Sequence, residues 1–120
     1  MFAMRNSPMT LDPLVSRCIT QSIVDKFGPI KIVIFGSYAT GKATADSDLD
    51  ILAIVNDTQP SGHEATVQGR IAIRKALKTI GKNMAFDFIL SKQALFESAK
   101  SKNGTIQYVA DQQGIVIYEH

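Results

Sequence analysis

No apolar run in this 120-residue sequence approaches the roughly 18 residues that a membrane span needs. The opening, MFAMRNSPMT, lacks the apolar stretch of about 7–15 residues that marks a secretory signal. The single cysteine, Cys18, excludes an internal disulfide, and nothing stands near it at metal-ligand spacing. A reducing, cytoplasmic setting is therefore expected. Charge of one sign is also scarce. Thirteen basic against eleven acidic residues leave a net +2, too little for duplex nucleic-acid binding by charge alone. Internal repeats and low-complexity tracts are absent. What is present is an ordinary globular composition, 45% hydrophobic and 20% charged. It excludes a disordered or collagen-like chain. A domain of about 100–150 residues is typical, which leaves room for one core. The expected organisation is a loose arm over residues 1–10 and a single domain over residues 11–120.

The hydrophobic pattern predicts alternating elements. Asp12 suits an N-cap and Pro13 the first helical position. Leu14, Val15, Cys18, Ile19 and Ile23 follow at helical spacing, and Gly28-Pro29 ends that helix. Lys31 to Gly36 is a short β-branched run and reads as a buried strand. Ser37 to Asp48 is too polar for core and reads as loop, with a helical turn after Ser37. Leu49 to Val55 reads as the second strand, and Asn56 to Gly62 as a turn-rich connection. Glu64 to Ile80 is the longest helix predicted, with Ile73, Ala76, Leu77 and Ile80 on one face and Gly81 as its stop. Met84 to Leu90 reads as the third strand. Ser91 is expected to cap a helix over residues 92–100, with Leu95 and Ala99 at i and i+4 on one face. A further short helix is expected over Thr105 to Gln112, and a last strand over Ile115 to Tyr118. Strands and helices interleave in this way in a mixed α/β (α+β) class, with a small sheet of about four strands.

The informative stretch is the loop between the first two strands. Gly36, Gly41 and Lys42 have the spacing of a phosphate-binding G-x-x-x-x-G-K-[ST] loop. Ala43 stands where that motif needs a hydroxyl, and the segment runs into a strand instead of a long helix. A second reading starts from the carboxylates. Asp48 and Asp50 lie two residues apart at the mouth of a strand, so both project to one face. Like charges about 4 Å apart repel by about 4 kcal/mol at an effective dielectric near 20. A divalent cation removes that repulsion, and Mg²⁺ prefers hard oxygen ligands. Asp87, flanked by Phe86 and Phe88 in an otherwise apolar strand, is a third carboxylate that needs a partner. Antiparallel pairing of the first two strands would join the Gly36-Ser37 end to Asp48 and Asp50. A parallel third strand, reached through the long helix, would bring Asp87 to the same edge.

These residues resemble a known family. The segment GSYATGKATADSDLDI carries G-S-x-A-x-G, then S-D-x-D, with ten residues between Ser37 and Asp48. It is similar to the minimal nucleotidyltransferases of the DNA polymerase β-like superfamily. The likeness extends to the C-terminal TIQYVADQQGIVIYE. The resemblance implies the polymerase β-like fold and Mg²⁺-dependent transfer of a nucleoside monophosphate, with ATP or another NTP as donor. By that resemblance Asp48 and Asp50 would hold two Mg²⁺ ions, and Asp87 would ligate the catalytic one and accept the proton of the attacking hydroxyl. Gly36 would let the backbone approach the triphosphate, Ser37 would hydrogen-bond a phosphate oxygen, and Lys42 would supply positive charge. Many members carry Arg where this chain has Thr40. The resemblance further implies an antitoxin role, with AMP passed to a tyrosine of a partner toxin of the HEPN class. Two alternatives stand beside it. The domain could neutralise a partner by contact alone, or it could modify a small molecule such as an aminoglycoside. No membrane association is expected, and the chain could act as a homo- or hetero-oligomer.

The remaining residues of chemical interest read more plainly. Arg70, Arg74, Lys78 and Lys82 recur every four residues as a basic stripe, which is usually a solvated helix face; its sharper meaning is contact with nucleotide phosphates or an acidic partner. His63 reads as loop surface. Cys18 reads as core, and Tyr108 and Tyr118 as packing residues.

Overall fold

The computed structural model describes residues 10–120. The arm expected over residues 1–10 lies almost wholly outside the described residues. The chain runs α1 (Pro13–Phe27), β1 (Lys31–Phe35), α2 (Ser37–Thr40), β2 (Leu49–Val55), α3 (His63–Thr79), β3 (Phe86–Lys92), α4 (Gln93–Ala99), α5 (Ile106–Gln113) and β4 (Ile115–Glu119). The four strands form one sheet in the order β3-β2-β1-β4. β1 is antiparallel to both β2 and β4, and β2 is parallel to β3, so the sheet is mixed as expected. The parallel step needs a crossover, and α3 supplies it. Among the described residues no helix is long and apolar enough to cross a membrane.

Alternation along the strands sends side chains to two cores. Ile32, Ile34, Leu49, Ile51, Ala53, Val55, Phe88 and Leu90 face α1 and α3. Val33, Phe35, Leu52 and Ile54 face the other way, under Phe96 of α4 and Ala110 of α5. α1 begins as predicted, with Asp12 Oδ1 accepting from the Leu14 N–H at 2.8 Å. Its buried stripe is Val15, Ile19, Ile23 and Phe27, a strict four-residue series. That series sits to one side of the face expected from the sequence. Leu14 is 44% exposed, and Cys18 is half-buried at the edge of α1, beside Ala76 and Thr79, not in the core.

α3 starts at His63, one residue early, and buries Gly69, Ile73 and Leu77. Gly69 is a requirement of packing. A Cβ there would overlap the ring of Phe88, which in turn stacks on Phe27 with ring centroids 6.0 Å apart. β3 runs two residues past the predicted end at Leu90. Ser91 therefore lies buried within the strand, with its hydroxyl donating to the Lys92 carbonyl, and does not cap α4. Asp57, from the loop after β2, accepts from the Ala94 N–H at 3.0 Å and does the capping instead. α4 buries Phe96 and Ala99 and leaves Leu95 54% exposed, contrary to the predicted Leu95–Ala99 face. β4 closes the fold against β1 and is the outer strand on that side.

Candidate active site

β1 ends at Phe35, whose ladder partner is Asp50 near the start of β2. The chain then turns at Gly36, with φ 75° and ψ −152°, a conformation that side-chain-bearing residues rarely adopt. Space forbids a side chain here as well. A Cβ on Gly36 would overlap Asp50 Oδ2, so the backbone of the Gly36-Ser37 turn lies directly against that carboxylate. The Gly36 carbonyl accepts from the Ala39 and Thr40 N–H groups at 3.0 and 3.2 Å, forming the single turn of α2. Lys42 N–H donates to the Ser37 carbonyl at 2.9 Å and ends that turn. No helix follows Lys42, so the segment is not a phosphate loop of the G-x-x-x-x-G-K type.

A tight connection delivers the chain to β2. Ala43 is fully buried and anchors the loop. The Thr44 N–H donates to Ser47 Oγ at 2.9 Å, and the Ser47 N–H donates back to the Thr44 carbonyl at 3.0 Å. This turn, read off Ser, Thr and Asp, sets Asp48 one residue ahead of the strand. Asp50 then lies on the α4–α5 face of the sheet, while Leu49 is buried on the other, and Asp48 stands just before the strand, near enough for its charge to act on Asp50. In the parallel ladder Asp50 stands opposite Asp87 and Leu49 opposite Phe86. Asp48, Asp50 and Asp87 thus collect at the end of the sheet where β1 stops and β2 and β3 begin. They share it with Gly36 and Ser37.

The electrostatics follow from this crowding. The Asp50 carboxyl is raised above its ordinary value, first by burial and then by the negative charges of Asp87 and Asp48. Asp50 is half-buried, whereas Asp48 and Asp87 are exposed. The ion pairs among the described residues are Lys31–Glu119, Lys82–Asp12 and Lys100–Glu97, so none compensates the three acids. Lys42 is exposed in the loop and pairs with none of them. As placed, no three His, Cys, Asp or Glu side chains among the described residues converge closely enough to enclose a metal ion. The acids sense one another without forming a closed cage. Their donor set is all carboxylate oxygen, uncompensated among the described residues and mutually repelling, which fits a hard divalent cation.

One contributor was not apparent from the sequence. Arg74 Nη1 donates to the Met84 carbonyl at 2.8 Å, and its guanidinium lies 4.6 Å from the centroid of the Phe86 ring. It ties α3 to the chain just before Asp87. The sequence shows Arg74 only as one member of a basic stripe. That stripe is also shorter than predicted, because α3 ends at Thr79 and Lys82 turns away to Asp12 at 3.6 Å.

Residues 17–109 match the family described as a nucleotidyltransferase domain. No protein of curated function matches the sequence. Solved structures that share the fold include these two. One is a toxin–antitoxin with AMP-PNP, at 18% identity and a TM-score of 0.57 over 88% of this chain and 73% of that one. The other is a candidate nucleotidyltransferase from Sulfolobus solfataricus, at 17% identity and a TM-score of 0.54 over 89% of this chain and 78% of that one.

Proposed function

This chain belongs to the nucleotidyltransferase domain family, and from that premise we propose that it transfers AMP from ATP to a hydroxyl on a partner protein. The observation that carries the reading is the Gly36-Ser37 turn packed directly against Asp50, opposite Asp87, on a rim where three carboxylates lack a cation partner among the described residues. A turn and acids so placed can receive a nucleotide and an acceptor side by side. Gly36 and Ser37 hold the triphosphate, with Ser37 Oγ donating to a phosphate oxygen and Lys42 adding positive charge from the loop. Asp87 orients the acceptor hydroxyl and takes its proton as the hydroxyl oxygen bonds to the α-phosphorus. The bond from that phosphorus to the bridging oxygen breaks, and pyrophosphate leaves. Asp48 and Asp50, with Asp87, would hold two Mg²⁺ ions, which when bound neutralise charge on the transferred phosphoryl group and the leaving pyrophosphate.

The partner is proposed on two supports. The sequence resembles antitoxins that act on HEPN-class toxins, and a protein of the same fold is a toxin–antitoxin with AMP-PNP. On this reading the acceptor is a tyrosine of a HEPN-class toxin and the chain is its antitoxin. The test is incubation with α-labelled ATP, Mg²⁺ and the protein encoded beside this chain. Label on that protein, lost with Asp50→Asn, is expected. Absence of both label and released pyrophosphate overturns the reading. A second reading has one observation behind it. Thr40, uncharged and exposed, occupies a position where many relatives carry Arg, which favours neutralisation by contact alone. Under that reading toxin inhibition would survive Asp50→Asn.

A further inference from the structure

Charge is distributed unevenly over the molecule. The chain has a net charge of +2, yet α3 alone carries Arg70, Arg74, Lys75 and Lys78 after its one acid, Glu64. Arg70, Arg74 and Lys78 lie four residues apart on one face, with Lys75 beside them. Together with Ile71 and Phe86 these four cations line an open groove of about 350 Å³ between α3 and the outer strand β3. No acid lines it. None of the four forms an ion pair among the described residues, and residues 1–9 contain no Asp or Glu that could supply one.

A solvated basic face has no need of a hydrophobic floor, and this one has one. Ile71, 44% exposed, and Phe86, half-buried, both line the groove. Apolar side chains set beside Arg and Lys in one groove suit a protein interface, in which an apolar contact is flanked by polar groups. Nucleic acid fits less well. Single strands are held by bases stacked on free aromatic faces, and the Phe86 ring already carries the Arg74 guanidinium.

We propose that the α3–β3 groove docks an acidic segment of a partner protein. An apolar side chain of that segment sits between Ile71 and Phe86, and its carboxylates lie on Arg70, Lys75 and Lys78. Arg74 is excluded from the carboxylate set because it is engaged with Met84 and Phe86. The position gives docking a use. Phe86 is the chain neighbour of Asp87, on the opposite face of an outer strand, so a segment in the groove lies one residue from the carboxylate rim. Only that use rests on the proposed nucleotidyl transfer; the docking itself does not.

The probe is a fluorescein-labelled, Glu-rich peptide with a central Leu, followed by anisotropy against the full chain at low and at physiological ionic strength. Binding is expected, weaker at the higher salt. Charge reversal at Arg70 and Lys78, both exposed, should weaken it about tenfold or more. Replacing the peptide Leu by Ser should weaken it severalfold. Reversal of Lys31 and Lys92, away from the groove, should leave it unchanged. The Asp50→Asn chain should bind like the native one, which separates docking from transfer. Undiminished binding by the Arg70/Lys78 variant overturns the proposal. So does equal binding of the Ser peptide, or tighter binding of oligouridylate than of the acidic peptide at the same groove.

Discussion

On the face of the sheet covered by α1 and α3, fourteen buried apolar side chains interlock among the described residues. On the face covered by α4 and α5 there are six. The same strands serve both. Leu49, Ile51, Ala53 and Val55 enter the deep core, while Asp50, Leu52 and Ile54 face the shallow one, and the shallow layer gives way to solvent before it reaches the carboxylates. Parity of residue number therefore separates two tasks. One side of each strand holds the molecule together, and the other carries groups that would destabilise any core. Charges that repel can be kept on a strand only where the covering layer is thin enough to admit water and ions.

The sharpest way to probe that division is to remove a charge from the shallow face. Asp50→Asn should reduce nucleotidyl transfer by more than about a thousandfold, several kcal/mol at the transition state, measured as pyrophosphate release, with the fold intact by circular dichroism. Retained transfer would mean the chemistry lies elsewhere. The next largest effect is expected in the deep core. Phe88→Ala should cost about 3–5 kcal/mol of stability in urea unfolding, and Phe96→Ala, under the thinner layer, should fall at or below the lower end of that range because its surroundings can relax. Equal losses would erase the contrast between the faces. Gly69→Ala is expected to destabilise by about 1–3 kcal/mol through overlap with Phe88, against the roughly 1 kcal/mol that Ala gains over Gly in a helix. A rise in the urea midpoint would show that Phe88 can move aside.

The smallest effect concerns pH. Because the Asp50 carboxyl is raised in the folded protein, the native state holds its proton more tightly than the unfolded chain. Stability from this group is then greatest in acid, and falls as pH climbs from the ordinary carboxylate value of 3.8 past the raised one. In metal-free buffer at neutral pH, Asp50→Asn should raise Tm by less than about 3 °C, a small figure because water screens a half-buried group. The difference should vanish below the ordinary carboxylate range. A lower Tm at neutral pH would instead mark Asp50 as a structural acceptor.

Much of this arrangement was legible in local patterns. Runs such as KIVIF and LDILAIV announce strands, and the two-residue spacing of Asp48 and Asp50 places them on one face. The mixed strand directions follow from loop length, because a helix as long as α3 suits a parallel crossover. What could not be read depends on partners distant in the chain. Ser91 looks like a cap until β3 is seen to continue beside β2 as far as Lys92, and the actual cap, Asp57, lies thirty-seven residues before the Ala94 N–H that it accepts from. Cys18 falls outside the core because the stripe that α1 buries is Val15, Ile19, Ile23 and Phe27. Gly69 reads as a flaw in a helix, and only the nearby Phe88 ring explains it. At the site, the resemblance singles out Gly36 for close approach of the backbone to a triphosphate, whereas its closeness to Asp50 Oδ2 emerges only from the pairing of β1 with β2.

The Gly69–Phe88 contact also acts as a key that fixes strand alignment. Phe88 fits where α3 has no side chain, and Asp87 is its immediate neighbour. Sliding β3 by one residue would present Asp87 to the oily side and a phenyl ring to the acids. The notch in α3 is thus a distant caliper for the carboxylate rim, and filling it would be felt as misalignment of Asp87 against Asp50 even in molecules that remain folded.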